Sequence, residues 1–226
     1  RTLPPAMTLS RAFALSLLAA VAALAAGGAT LAADSRGTRV ESTWKDPDAV
    51  ATFTPGSKAP ASLHGVPLRR WTPPDSIEGW KNVAGQKPDL EGDTPMATKA
   101  TSWTDKDGKT FTSTKDVGAG VIVEEPDGRV WVVKPTNRFG GYDAPFPKGT
   151  VEDGLSLQAS AIKETYEESG LKVEITGILG DYERTTSVAR YYTAKRVGGT
   201  PTDMGWESQA VKLVPRAKLA AELNMA

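Results

Sequence analysis

Residues 149–171, GTVEDGLSLQASAIKETYEESGL, carry glutamates at positions 164, 167 and 168. Positions i, i+3 and i+4 fall on one side of a helix, so a helix here lines up all three carboxylates along one ridge. Such a ridge is unfavourable by itself. Like charges at this spacing repel by roughly a few tenths of a kcal/mol per pair. The glutamates also sit toward the C-terminal end, where the helix dipole disfavours anions. An acidic helix face is most often a solvated surface. Anions gathered at the wrong end of a helix point instead to a cationic partner, and hard carboxylate oxygens suit Mg²⁺ or Mn²⁺.

The flanking sequence frames that helix. Val117 to Glu125 is an apolar run with two glycines and reads as a strand. Pro126-Asp127-Gly128 is a turn, and Arg129 to Lys134 returns as a second strand, completing a hairpin. Pro135 to Pro147 is a loop punctuated by Gly and Pro. Ser156 is placed to cap the helix N-terminus and Gly170 to end it. Leu157, Ala161, Ile162 and Thr165 give the helix an apolar face. Further strands are expected over 173–179, 182–186, 188–196 and 209–214, with a loop over 198–205. Pro215 opens a short C-terminal helix. Mixed strands with two helices in about 110 residues make one compact α/β domain.

The segment from Gly149 resembles the box of the Nudix hydrolase superfamily, G-x5-E-x7-R-E-U-x-E-E-x-G-U, where U is a bulky aliphatic residue. Gly149, Glu164, Glu167, Glu168, Gly170 and Leu171 match it. Leu155 stands in place of Glu, Lys163 in place of Arg, and Thr165 in place of an aliphatic residue. Lys keeps the charge but loses the bidentate fork. In the family, the Glu and Arg at these two positions brace the loop against the helix. Both have changed here, which implies a lost brace with no orphaned carboxylate. The resemblance covers roughly residues 117–225 and implies the Nudix fold: an α/β/α sandwich around a mixed β-sheet, preceded here by an extended Pro-rich segment.

The resemblance also implies a chemistry, hydrolysis of a pyrophosphate bond in a nucleoside diphosphate linked to another moiety. Glu167 and Glu168 are the expected ligands of Mg²⁺ or Mn²⁺. Glu164 would orient or deprotonate water, or bind a second metal. By analogy, a backbone carbonyl near Lys148 or Gly149 would complete the ligand set. The general base varies in the family, and Glu207, just before the last strand, is a candidate. Glu152 in the box loop is either a metal contact or a solvated turn residue. Lys134, Arg138, Lys148, Arg184 and Arg190 could hold phosphates, although each alone is more often an ordinary surface charge. Tyr142, Trp131 and Trp206 could stack on a base or sugar. Trp131 alternates with valines, which favours core packing.

The N-terminal half bears on location. Arg11 precedes an Ala/Leu-rich stretch, Ala12 to Ala26, interrupted only by Ser16, and small residues lead to Ala32-Ala33-Asp34. This resembles a secretory signal peptide over residues 1–33, with Met7 a candidate true start. The apolar run falls short of the ~20 residues of a membrane span, so no stable span is expected after cleavage. There is no cysteine, which excludes thiol catalysis and Cys-based zinc sites. The single histidine, His64, excludes any multi-histidine site and reads as incidental. Without residues 1–33 the chain has 25 basic and 27 acidic residues, so nothing suggests a nucleic-acid polymer as partner.

Residues 34–115 contain eight prolines and only ten Ile, Leu, Val and Phe, too few for an independent core. Four tryptophans (44, 71, 80 and 103) argue against a plain linker. The expectation is a segment that lays its aromatics over a domain spanning 116–226. Asp107-Gly108 marks a small hairpin between Trp103 and Phe111. Two function classes follow. One is an exported enzyme acting on a small nucleotide or pyrophosphate substrate, for which the resemblance implies a homodimer, as in many relatives. The other is a catalytically weakened nucleotide-binding or sensing module, favoured by Leu155, Lys163 and Thr165.

Overall fold

The computed structural model describes residues 43–90, 103–104, 108–111, 114–136, 144–183 and 186–223. The signal-like segment and the candidate residues Arg138, Tyr142 and Arg184 lie outside them. Among the described residues no helix is long and apolar enough to cross a membrane.

A seven-stranded mixed sheet organises the chain. The first strands are β1 (Ala51–Phe53), β2 (Ser62–Leu63) and β3 (Val66–Pro67), followed by α1 (Ile77–Lys81) and by β4 (Trp103–Thr104) and β5 (Thr110–Phe111). Then come β6 (Asp116–Glu124), β7 (Arg129–Pro135), β8 (Lys148–Thr150), α2 (Leu157–Ser169), β9 (Leu171–Glu183), β10 (Ser187–Gly199), β11 (Ser208–Pro215) and α3 (Leu219–Glu222). The large sheet runs β1-β11-β7-β6-β10-β9, with β8 paired to β6. Among the described residues only β6 and β10 pair in parallel. The expected hairpin at Gly108 forms as β4 paired with β5, Trp103 opposite Phe111.

Residues of β6 alternate between two cores. Val117, Ala119, Val121 and Val123 pack with Leu155, Leu157, Ala161 and Ile162 on the α2 side. Ile122 joins Val130, Val132, Tyr191, Val214 and Leu219 on the other. With both faces covered, β6 reads as a continuous apolar run. A mixed sheet between α2 and α3 is the α/β/α arrangement that the resemblance implies.

Two expectations are corrected. The hairpin of β6 and β7 is paired only beside its turn, at Glu124 and Val130. Beyond that the strands part, because residues 145–151 run between them: Val133 donates to Pro145 O and Val121 to Pro147 O. This opening is what seats the box loop. The two strands expected over 173–179 and 182–186 form the single strand β9, which follows β10 through several bulges. Long-range pairing with β10 carries the strand across the gap expected at Gly180-Asp181.

The Pro-rich segment contributes to the sheet itself. β1 pairs with the outer side of β11. Trp44 stacks on Phe53, which packs on the buried Trp131. Trp71 meets Trp80 and Tyr166 of α2 edge-on. Two buried arginines fasten the strap. Arg129 donates to the carbonyls of Thr43, Trp44 and Asp46. Arg196 donates to Leu63 O while paired with the buried Glu125. Gly85 accepts from Ile175 N, and its φ of +111° and a would-be Cβ 2.4 Å from Val173 O leave no alternative to glycine. His64 is not incidental: at φ +50° in the β2–β3 turn, it sets Nε2 3.1 Å from the Asp127 carboxylate.

Candidate active site

The box loop and α2 build the site. Ser156 Oγ accepts from Ala159 N at 3.0 Å, which starts α2. Gly170, at φ +70°, ends it in a left-handed turn with its N–H on Tyr166 O. Between these caps one helical face is buried in the core and the glutamate ridge looks toward β8.

Two of the three glutamates meet the loop directly. Glu168 Oε2 accepts from Lys148 N at 2.8 Å. The Glu164 carboxylate lies so close to Gly149 that a Cβ there would stand 2.0 Å from Cδ, so only glycine admits this approach. Gly149 itself pairs with Ala119 in the ladder between β8 and β6. Among the described residues neither carboxylate has an ion-pair partner. Burial, then Glu167 and Glu207, push Glu164 up to about 7, against the pull of Lys163 and Lys148. Burial, then Glu164 and Glu207, push Glu168 up to about 8, although the Lys148 N–H works the other way.

Glu167 is held differently. Lys163 Nζ lies 2.7 Å from Glu167 and 2.6 Å from Glu152. Burial works against this ammonium, yet the two carboxylates raise its pKa above the ordinary value. The brace expected to be lost is therefore present in another form: Lys163 ties the box loop to the helix through Glu152. The i, i+4 spacing of Lys163 and Glu167 was visible in the sequence, but nothing local pointed to Glu152. Leu155 is fully buried in the core where the family has a carboxylate. Thr165 is fully buried and satisfies its hydroxyl on Ala161 O. The three departures thus serve packing and bracing.

Glu207 is exposed and acts electrostatically on both Glu164 and Glu168, so it borders the same cluster. Its loop is seated on α2, with Gly205 N on Glu167 O at 2.7 Å. Lys148 and Lys134 are half-buried. Arg190 departs from the expectation: it is 3% exposed and clasps the Asp181 carboxylate with Nε at 2.8 Å and Nη2 at 2.9 Å, which commits it to the sheet rather than to phosphate. Trp131 is core, its indole N–H on Glu125.

A glycine-faced carboxylate, a capped helix carrying the acidic ridge and a loop wedged between two strands occur together in residues 145–171. The sequence model of the NUDIX domain matches residues 114–226. The chain belongs to the Nudix family. This Nudix domain is 34% identical over 92 residues to an RNA pyrophosphohydrolase of Caulobacter vibrioides, a match covering 40% of this chain and 50% of that protein. It is 38% identical over 78 residues to an RNA pyrophosphohydrolase of Shewanella pealeana, covering 34% and 42%. The chain thus spans about half the length of these relatives or less. Among solved structures, a NUDIX hydrolase from Nitrosomonas europaea aligns with a TM-score of 0.43 at 20% identity, covering 48% of this chain and 78% of that one.

The Nudix donor set fits a divalent cation in kind: hard oxygens on two half-buried carboxylates with no ion-pair partner among the described residues, beside a bare Cα that leaves them room. It is not a closed cage. Among the described residues no three acidic or histidine side chains converge as a metal cluster, because Glu167 turns to Lys163.

Proposed function

We propose that this Nudix domain hydrolyses a phosphoanhydride, the pyrophosphate bond of a nucleoside diphosphate linked to another group, with Mg²⁺ or Mn²⁺. The observation that carries this reading is the pair Glu164 and Glu168, two half-buried carboxylates raised to about 7 and 8 with no ion-pair partner among the described residues. Glu168 and Glu164 would hold the cation, with Glu167 on the same ridge and the Gly149 carbonyl beside them. The cation, when bound, neutralises phosphate charge and acidifies water.

The protein groups supply the rest. The Lys148 N–H fixes Glu168, so its carboxyl group is oriented before substrate arrives. Lys163 keeps the box loop on α2. Water attacks phosphorus, the bridging P–O bond breaks, and the two phosphates part. The proton from water goes to a carboxylate oxygen of Glu164 or of Glu207 at the rim. Lys148 and Lys134 carry positive charge toward the substrate phosphates.

The names of the relatives bring in a second substrate form, a pyrophosphate linkage carried by an RNA, whose anhydride is chemically the same. The test is Mg²⁺-dependent hydrolysis of nucleotides, nucleoside-diphosphate conjugates and an RNA oligomer ending in a phosphoanhydride, with products identified, for wild type, Glu164→Gln and Glu168→Gln. Equal turnover in all three overturns the ligand assignment. No turnover of any compound favours the binding or sensing module.

Export of the chain after removal of residues 1–33, residues 34–115 as an extended segment packed on a domain over 116–226, and homodimer formation belong to the same proposal. Their support is the signal-like N-terminus, the low aliphatic content of 34–115, and the habit of the family. N-terminal sequencing of exported protein, limited proteolysis and light scattering test them. An intact N-terminus, removal of residues 34–115 by protease at the first cuts, or a monomeric mass sinks the respective point.

A further inference from the structure

Trp206 is 85% exposed, against 38% for Ile77 and 37% for Val197, the other large apolar side chains in the open among the described residues. An indole left in water is unusual, because burying it is worth more than burying almost any other side chain.

The backbone beneath it is not loose. Gly205 N bonds to Glu167 O, and a Cβ at Gly205 would stand 2.4 Å from that carbonyl, so the loop is seated directly on the last turn of α2. On the other side Thr136 Oγ1 donates to Trp206 O at 2.9 Å, and Thr136 N donates to Glu207 O at 2.7 Å. Met204 is buried in the core just before it. Both chain neighbours of Trp206 therefore border the acidic helix. Gly205 is bonded to the residue preceding Glu168, and Glu207 faces both Glu164 and Glu168 electrostatically.

A fixed backbone that holds an uncovered aromatic ring beside an anion-handling cluster matches the requirement of a ligand with two unlike ends. We infer that Trp206 is the platform on which the nucleobase of the substrate stacks while its phosphates lie at Glu164 and Glu168. The substrate class is thereby a nucleotide, free or at a chain end, rather than a base-free polyphosphate. Every nucleobase has a π-face, so this contact adds affinity with little choice among bases. The inference rests on the phosphoanhydride reading of the site.

The test compares a nucleoside triphosphate whose bridging oxygens are replaced by methylene with inorganic triphosphate. Both are titrated calorimetrically with Mg²⁺ against wild type, Trp206→Ala and Trp206→Phe. Stacking predicts that Trp206→Ala weakens the nucleotide about tenfold or more, that Trp206→Phe retains most of the affinity, and that inorganic triphosphate binds all three alike. Unchanged nucleotide affinity in Trp206→Ala, or equal weakening of both ligands, overturns the platform. A wild type that shows the binding contrast but hydrolyses nothing removes the catalytic reading and leaves the platform. A wild type that hydrolyses nucleotides and base-free compounds at rates untouched by Trp206→Ala removes the platform and leaves the catalytic reading.

Discussion

The strap side of the sheet and the acidic ridge of α2 treat buried charge in opposite ways. Under the strap, Arg196 and Glu125 are 4% and 3% exposed and face each other, with Leu63 O and the Trp131 indole completing their hydrogen bonds. Arg129 and Asp127 repeat the arrangement. On the ridge, Glu164 and Glu168 are pressed against the box loop with other carboxylates as neighbours. Compensated pairs hold a fold together once they are formed. An uncompensated pair of carboxylates costs stability and makes sense where a cation completes it.

Four experiments break or sharpen this contrast. The largest effect is expected from Glu168→Gln, which keeps the shape of the acceptor but removes its charge. Hydrolysis should fall on the order of 10²–10⁴-fold, while the thermal midpoint of the metal-free protein stays level or rises. A lower midpoint would show that the ridge is structural. Next comes Arg196→Ala, which orphans Glu125 in the core. It should destabilise the protein by about 3–5 kcal/mol, read by chemical denaturation. Retained stability would put Arg196 among ordinary surface charges.

Gly149→Ala is the third. Its Cβ claims the space of the Glu164 carboxylate, which is the flexible end of a side chain and can move aside. Stability should hardly change, whereas activity should drop on the order of tenfold to 10²-fold through misplacement of one catalytic group. Activity equal to wild type would mean that the position of Glu164 is irrelevant. The smallest effect is a pH slope. Both carboxyls have folded pKa values, about 7 and about 8, above the ordinary 4.5. Below 4.5 folded and unfolded states are protonated alike. As pH rises from there to about 8 the unfolded chain gives up its protons first, so metal-free stability should decline across that window and level off above it. Melting in chelator at a series of pH values checks this, with Glu164→Gln/Glu168→Gln as the flat control. A midpoint that climbs through the window contradicts the burial of the pair.

The helix, its caps and the ridge could be read from residues 149–171 because each rests on local spacing: Ser156 three residues before Ala159, Gly170 at the left-handed end, glutamates one turn apart. Strands β6, β7, β10 and β11 were also legible as elements, since alternation and apolar runs are local, whereas β1 and β8, which owe their pairing to distant partners, were not. Partnership was not. Residues 145–151 part β6 from β7, and nothing in the Pro-Asp-Gly turn announces it. Lys163 finds Glu152 across a loop whose course depends on the finished sheet. Arg190 looked available for phosphate until the pairing of β10 with β9 set it opposite Asp181. The strap was the hardest region, because its anchors are backbone carbonyls offered to Arg129 and Arg196, and a carbonyl has no letter of its own in a sequence.

Three residues, Ala51 to Phe53, lie well upstream of the family-matched stretch and still occupy the free side of β11. A recombinant fragment begun at residue 114 would leave that side's amides and carbonyls unpaired, a ready template for another chain, and is expected to self-associate. For expression, crystallisation or engineering, the working unit therefore starts before Thr43, not at the margin that family resemblance would draw.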